Sequence, residues 1–194
     1  MSQKTDEIRA FIAVELPKGV KSFLKELSAK LKGFGGDVRW TRPEGIHLTL
    51  KFLGNIKSEQ APALGEAIKS VCGDCRRFPL DVAGVGAFPG LGRPRVIWTG
   101  LQDPLGRLVP LAAKLEDLVA EQGFEREKRP FRPHLTLGRV KSGRVNPELV
   151  AAIRDMSDLA GPSFVAEHLV LFQSVLKPSG AEYTPLFQGE FSPE

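Results

Sequence analysis

Histidine and cysteine are scarce in this chain, with three of the first and two of the second among 194 residues. The cysteines, Cys72 and Cys75, form "CGDC", and neither a second CxxC nor a neighbouring histidine completes a metal site around them. A redox CxxC opens a helix, whereas this one closes the helical stretch "EQAPALGEAIKSVC", so neither zinc nor thiol chemistry is expected from it. There is no GxSxG, which removes the usual frame for a serine nucleophile. No apolar run approaches the roughly eighteen residues of a spanning helix. The start "MSQKTDEIRAF" carries acidic residues and no apolar core, so the expectation is a cytoplasmic protein without a membrane partner.

What is present is ordinary in bulk and uneven in detail. Apolar residues make up 42% and charged residues 26%, the balance of a soluble globular chain. The length is slightly above the prior of about 150 residues per domain and suffices to bury a core without staples. A net charge of +4 and a pI near 9.2 favour polyanionic partners. The arginines cluster in "GLGRPRVIW" and in "EREKRPFRPH", where Arg132 stands two residues before a histidine and is expected to share its strand face.

That histidine belongs to a repeated pattern. In "GIHLTLKFLG", Ile46, Leu48, Leu50 and Phe52 alternate with His47, Thr49, Lys51 and Leu53, so a strand would bury Leu48 and Leu50 and turn His47 and Thr49 to the other face. The tetrapeptide recurs in "FRPHLTLGRV" as His134, Leu135, Thr136 and Leu137. Two of three histidines thus head identical tetrapeptides, which points to a paired site.

The punctuation around the motifs repeats as well. "IRAFIAVEL" reads as a strand, "PKGVKSFLKELSAKLKGFGG" as a helix, the first motif as a strand, "SEQAPALGEAIKSVC" as a helix, and "FPLDVAGVGAFPG" and "RPRVIWTGL" as two strands. "DPLGRLVPLAAKLEDLVAEQG" then opens a second round: helix, second motif strand, the helix "NPELVAAIRDMSDLAG", and the strands "SFVAEHLVLFQSVL" and "AEYTPLFQGEF" around "KPSG". This predicts an α+β fold over residues 1–194, in two pseudo-twofold-related lobes with strands free to exchange between them. Each lobe would be an antiparallel sheet with helices outside, facing a central cleft.

Two imidazoles across a cleft can divide acid and base work, because an unperturbed pKa near 6.5 lets one be neutral and the other protonated at neutral pH. Phosphoryl displacement needs that division. Threonine hydroxyls can donate to phosphate oxygens and an arginine can offset their charge. No metal or cofactor is required; His168 in "AEHLVLF" lacks the following threonine, and nothing in the sequence ties it to His47 and His134 as a third zinc ligand. Phe11 and Phe52, on the strands expected to border the cleft, are candidate stacking surfaces for a base, with burial in the core as the competing role.

The paired "HLTL" motifs, with "IRAFIAVEL", "GIHLTLKFLGNI", "PRVIWTGL", "FRPHLTLGRV" and "LVLFQSVLKPSGAEYTPL" in that order, resemble the 2H phosphoesterase superfamily nearly end to end, and within it the RNA 2′,3′-cyclic phosphodiesterase branch historically called 2′-5′ RNA ligases. The resemblance implies that His47 protonates a leaving 3′ oxygen, that His134 accepts a proton from water, and that Thr49, Thr136 and Arg132 hold the phosphate. It implies, as substrates, RNA ends with a 2′,3′-cyclic phosphate or small cyclic nucleotides, opened to a 2′-phosphomonoester. Reverse 2′-5′ ligation and a non-catalytic RNA- or nucleotide-binding module are the alternatives. A complete two-lobed site would suffice in a monomer. The residues themselves do not separate acid from base, since the two motifs look alike.

Overall fold

The apolar periodicities become nine strands and four α-helices in a computed structural model, which describes residues 7–141, 145–178 and 180–193. In chain order these are β1 (Glu7–Val14), α1 (Lys18–Lys32), β2 (Val38–Trp40), β3 (Leu48–Lys57), α2 (Ala61–Gly73), β4 (Phe78–Phe88), β5 (Val96–Gln102), α3 (Leu108–Glu121), β6 (His134–Val140), α4 (Pro147–Asp155), β7 (Ala160–Ala166), β8 (His168–Lys177) and β9 (Gly180–Glu190). Ser179, in the "KPSG" turn, lies outside the described residues.

The strands form two antiparallel sheets of order β3-β1-β8-β9 and β2-β6-β5-β4-β7. Each sheet therefore holds one motif strand and draws strands from both halves of the chain. The helices follow the same exchange. α1 follows a strand of the first sheet in sequence yet packs on β7 and α4 of the second, and α3 lies between two strands of the second yet packs on β3 of the first. α2 covers β8 and β9, and α4 covers β4. Their inward residues, among them Leu24 and Leu31 of α1, Leu64 and Ile68 of α2, Leu115 of α3 and Leu149 of α4, are fully buried against the back faces of the sheets. The opposite faces are left for the site.

Three sequence expectations change. "SFVAEHLVLFQSVL" is two strands: residues up to Ala166 join one sheet, residues from His168 join the other, and Glu167 is the crossing point. The tail of "NPELVAAIRDMSDLAG" is not helical, because Ala160 and Gly161 already belong to β7, where Ala160 pairs with β4. α3 begins at Leu108 and not at Asp103: the Asp103 carboxylate accepts from the Leu108 N–H at 2.6 Å, and Pro110 falls in the first turn, where its missing N–H costs nothing. The three-residue β2 had no sequence signal of its own.

The largest departure is inside the first motif strand. The β1–β3 register slips twice, once between Ile12 and Ala13 and once between Ala10 and Phe11, with Gly54 at φ 73 beside the second slip. Leu48 is fully buried, but past the first slip it is Lys51 that faces the core, only 5% exposed, while Leu50 is half-buried. Lys51 Nζ donates to Glu116 Oε1 of α3 at 2.6 Å and to the Glu125 carbonyl at 2.7 Å, and the same Glu116 oxygen accepts from the Glu127 N–H at 2.8 Å. This ion pair ties the first motif strand to the segment that runs into the second. Removing one partner of such a pair leaves a buried charge uncompensated. Lys51→Ala should lower unfolding free energy by about 3 kcal/mol, measured by urea denaturation, and a Lys51→Met/Glu116→Leu double variant should recover most of the loss; a Lys51→Ala protein as stable as wild type would refute the clamp.

Candidate active site

Strand sterics fix which side chains can meet. On β5 the partners of His134, Thr136 and Arg139 are Gly100, Trp98 and Val96, alternate residues and therefore one face. Arg139 reaches that face only because the register slips by one between Ile97 and Trp98, leaving Leu137 as the extra residue. Leu135 and Leu137 are fully buried. On the other sheet, Thr49 and Phe52 stand opposite Ala13 and Phe11, again alternate residues of one face, with Arg9 next along it.

His47 precedes β3 and is half-buried against that face. Its ring stacks on Phe11 with centroids 4.4 Å apart and planes at 20°, and meets Tyr183 edge-on at 5.2 Å. Phe11 is only 3% exposed, its ring taken up by His47 and by Phe172 at 5.3 Å, whereas Phe52 is 63% exposed. His134 opens β6 and meets Phe88 edge-on at 5.0 Å, and Phe88 in turn packs on Trp98. Trp98 lies over Gly86, where a Cβ would stand 2.4 Å from the indole, so that position requires glycine.

Each imidazole has a backbone carbonyl two residues upstream acting on it. His134 Nδ1 lies 2.7 Å from the Arg132 carbonyl, and because a carbonyl only accepts, Nδ1 carries the proton and Nε2 is left with its lone pair when the ring is neutral. The Gly45 carbonyl, also two residues upstream, favours the charged form of the His47 ring in the same sense. Arg132 itself sits in the loop before β6, not on the strand, and its side chain is exposed; what it contributes to the histidine is its carbonyl.

Burial sets the electrostatics. Desolvation pushes the His47 imidazole down to about 4, against the Gly45 carbonyl, which raises it, and with help from the charge of Lys21. His134 is lowered as well, chiefly by burial, opposed by the Arg132 carbonyl and assisted by Arg139. Both rings are thus neutral at pH 7 in the free protein, which replaces the expectation of one neutral and one charged. Burial raises the Tyr183 phenol, while Arg139 and Arg9 pull it back. Arg139 therefore acts on His134 of its own sheet and on Tyr183 of the other, and Tyr183 touches His47; with β3 and β6 packed together, the two motif faces are brought next to each other.

Other candidates lie apart from this cleft. His168 has its Nε2 3.9 Å from Glu15 Oε2. Cys72 is buried, its thiol pushed up to about 12 by burial and donating to the Gly189 carbonyl at 3.3 Å. Sequence reasoning missed Arg139 and Tyr183. Simple alternation puts Arg139 on the face opposite His134, and Tyr183, the only tyrosine in the chain, gave no pattern to read.

Comparison with known proteins agrees with the duplication. The LigT-like phosphoesterase family model matches residues 14–98 and again residues 100–183. An Archaeoglobus fulgidus protein named RNA 2′,3′-cyclic phosphodiesterase is 35% identical over 179 residues, covering 92% of this chain and 98% of its own. A crystal structure of a Thermus thermophilus protein superposes with a TM-score of 0.80 at 29% identity, over 96% of this chain and 100% of that one. Escherichia coli LigT complexed with 3′-AMP superposes with a TM-score of 0.75 at 26% identity, over 96% and 99%.

The depressed His47 pKa has a consequence for stability. Between an unfolded-state value near 6.5 and the folded value of about 4, the unfolded chain binds more protons, so stability falls as pH drops through this window. His134 contributes in the same direction. A His47→Gln variant should show a shallower loss of stability from about pH 6.5 to pH 4 than wild type in denaturant titrations; an unchanged slope would mean that His47 is not desolvated.

Proposed function

The chain belongs to the LigT-like phosphoesterase family, and from that premise we propose that it hydrolyses RNA-terminal 2′,3′-cyclic phosphates to 2′-phosphomonoesters, with His47 and His134 as paired acid and base. The observation that carries this reading is the pair of His-x-Thr faces, each imidazole lowered chiefly by burial and favoured as a cation by a carbonyl two residues upstream, on two sheets whose motif strands pack together.

In the proposed reaction, His134 Nε2 takes a proton from water as the water oxygen bonds to phosphorus. The P–O3′ bond breaks, and His47 delivers a proton to the departing O3′. The product carries a 2′-phosphate and a free 3′-hydroxyl. Thr49 and Thr136 donate to the non-bridging oxygens. Arg139 answers their negative charge from the face of His134, and Arg132, exposed at the entrance to β6, supplies further positive charge. Phe52 offers an open ring for the terminal base, and Phe11 packs the acid from behind.

The assignment of His47 as donor rests on the family resemblance. Its low basicity supports it, since a weakly basic imidazole is the stronger acid once protonated. The charge needed to protonate it arrives with the substrate: an anionic phosphodiester beside a desolvated imidazole favours the imidazolium. Every proton and charge in this scheme has a side chain to hold it, so the reaction is proposed to run without a metal.

Two measurements test this. With 2′,3′-cyclic AMP in excess chelator, His47→Ala and His134→Ala should each lower kcat by a factor of roughly 10² to 10⁴ while leaving the fold intact by circular dichroism. Loss of wild-type turnover to the chelator, or a 3′-phosphate product, would overturn the scheme. The pH profile of kcat/KM should be a bell peaking below about 6.5, because it reports the free protein and both imidazoles are lowered there; a peak above about pH 7 would contradict the electrostatics.

A further inference from the structure

One cation on the cleft face, Arg39, plays no part in the chemistry above. β2 pairs with β6 so that Arg39 stands directly opposite Arg139, flanked by the Val38–Val140 and Trp40–Gly138 pairs. Val38 and Trp40 pack on the core, which turns Arg39 the other way, onto the face of His134, Thr136 and Arg139. Side chains directly opposed on antiparallel strands have Cβ atoms about 4.5–5.5 Å apart, and like charges there are destabilising. Among the described residues neither guanidinium has a carboxylate within 4.0 Å, and Asp37, the nearest acid in sequence on the β2 side, is engaged by Lys141 at 3.3 Å. Arg9, on the facing sheet, adds a third cation to the same opening. Two exposed arginines at directly opposed backbone positions, with no carboxylate paired to either among the described residues, favour an anion beside them.

The anion has a place in the substrate. Because one residue of the Thr136–Arg139 interval is taken up by the register slip, Arg139 lies two pleat positions, about 6.6 Å, beyond Thr136, and Arg39 lies one strand spacing, about 4.8 Å, to its side. If Thr136 and His134 hold the terminal cyclic phosphate, the next position outward matches one nucleotide step of an extended strand. A cyclic phosphate terminates the 3′ end, so any neighbouring phosphate is on its 5′ side. We propose that Arg39, set against Arg139, binds the internucleotide phosphate 5′ to the terminal nucleotide and makes the site select an oligoribonucleotide end over a mononucleotide. The inference rests on the function proposed above. It adds a specificity residue whose contact lies away from the reacting atoms.

Binding separates the two claims, because it requires no turnover. Calorimetric titrations would compare 3′-AMP with the dinucleotide ApAp, phosphorylated at its 3′ end, on wild type, Arg39→Gln and Arg39→Lys. Wild type should bind ApAp more tightly than 3′-AMP. Arg39→Gln should weaken ApAp about tenfold, the scale of one charge-assisted phosphate contact, and change 3′-AMP by less than about twofold, with partial recovery in Arg39→Lys. The slope of log Kd against log salt for ApAp should fall by about 0.7 in Arg39→Gln, as for one phosphate contact on a single strand. Equal weakening of both ligands, or of neither, would overturn the role of Arg39. Failure to hydrolyse a cyclic phosphate while these affinities hold would overturn the proposed reaction and leave the anion subsite standing.

Discussion

A strand that buries Leu135 and Leu137 completely leaves His134 and Thr136 no choice of face. The same holds where Leu48 is sealed into the core and Thr49 is turned outward. In each motif the leucines bury apolar surface, at about 1.5–3 kcal/mol per side chain. The polar pair is thereby held on the cleft face by the same packing that stabilises the sheet. A one-residue slip of either strand would cost that burial and lose the site together, so the site is as well determined as the core beneath it.

The electrostatics follow from that placement. Imidazoles packed against Phe11 and Phe88 are partly desolvated, and both become weaker bases in the free protein. The groups around them are cationic: Lys21 acts on His47 and Arg139 on His134. The cleft by itself therefore disfavours protonated histidine and favours an anion. Binding of a phosphodiester relieves both conditions at once, which couples substrate arrival to the protonation that the acid step needs. Exchange of strands and helices between the halves then holds the two walls in a fixed relation. Lys51 adds a direct tie, through Glu116 and the Glu125 carbonyl, from the first motif strand to the approach of the second.

The sequence carried the parts of this that depend on local pattern. The recurring tetrapeptide, the order of elements and the helix boundaries marked by Pro17 and Gly123 are all readable from period and punctuation. What it could not carry depends on the partner strand. Lys51 reads as a polar residue on the His47 side, yet a slip against Ile12 and Ala13 turns it into the core. Arg139 reads as facing away from His134, yet the slip at Leu137 brings it round. The division of "SFVAEHLVLFQSVL" at Glu167 depends on which sheet each half joins, a tertiary fact without a local marker. Arg39 was invisible because a three-residue strand has too short a period to assign a face.

Both motif imidazoles are neutral and desolvated in the free protein, and on the proposed mechanism they gain basicity when an anion enters. Proton–carbon NMR titration of the histidine ring resonances, with and without saturating inorganic phosphate, measures this directly. The expected midpoints are near 4 for His47 and below about 6.5 for His134 in the free protein, both moving upward with phosphate bound. Midpoints at or above about 6.5 for either ring in the free protein, or no response to phosphate, would contradict it.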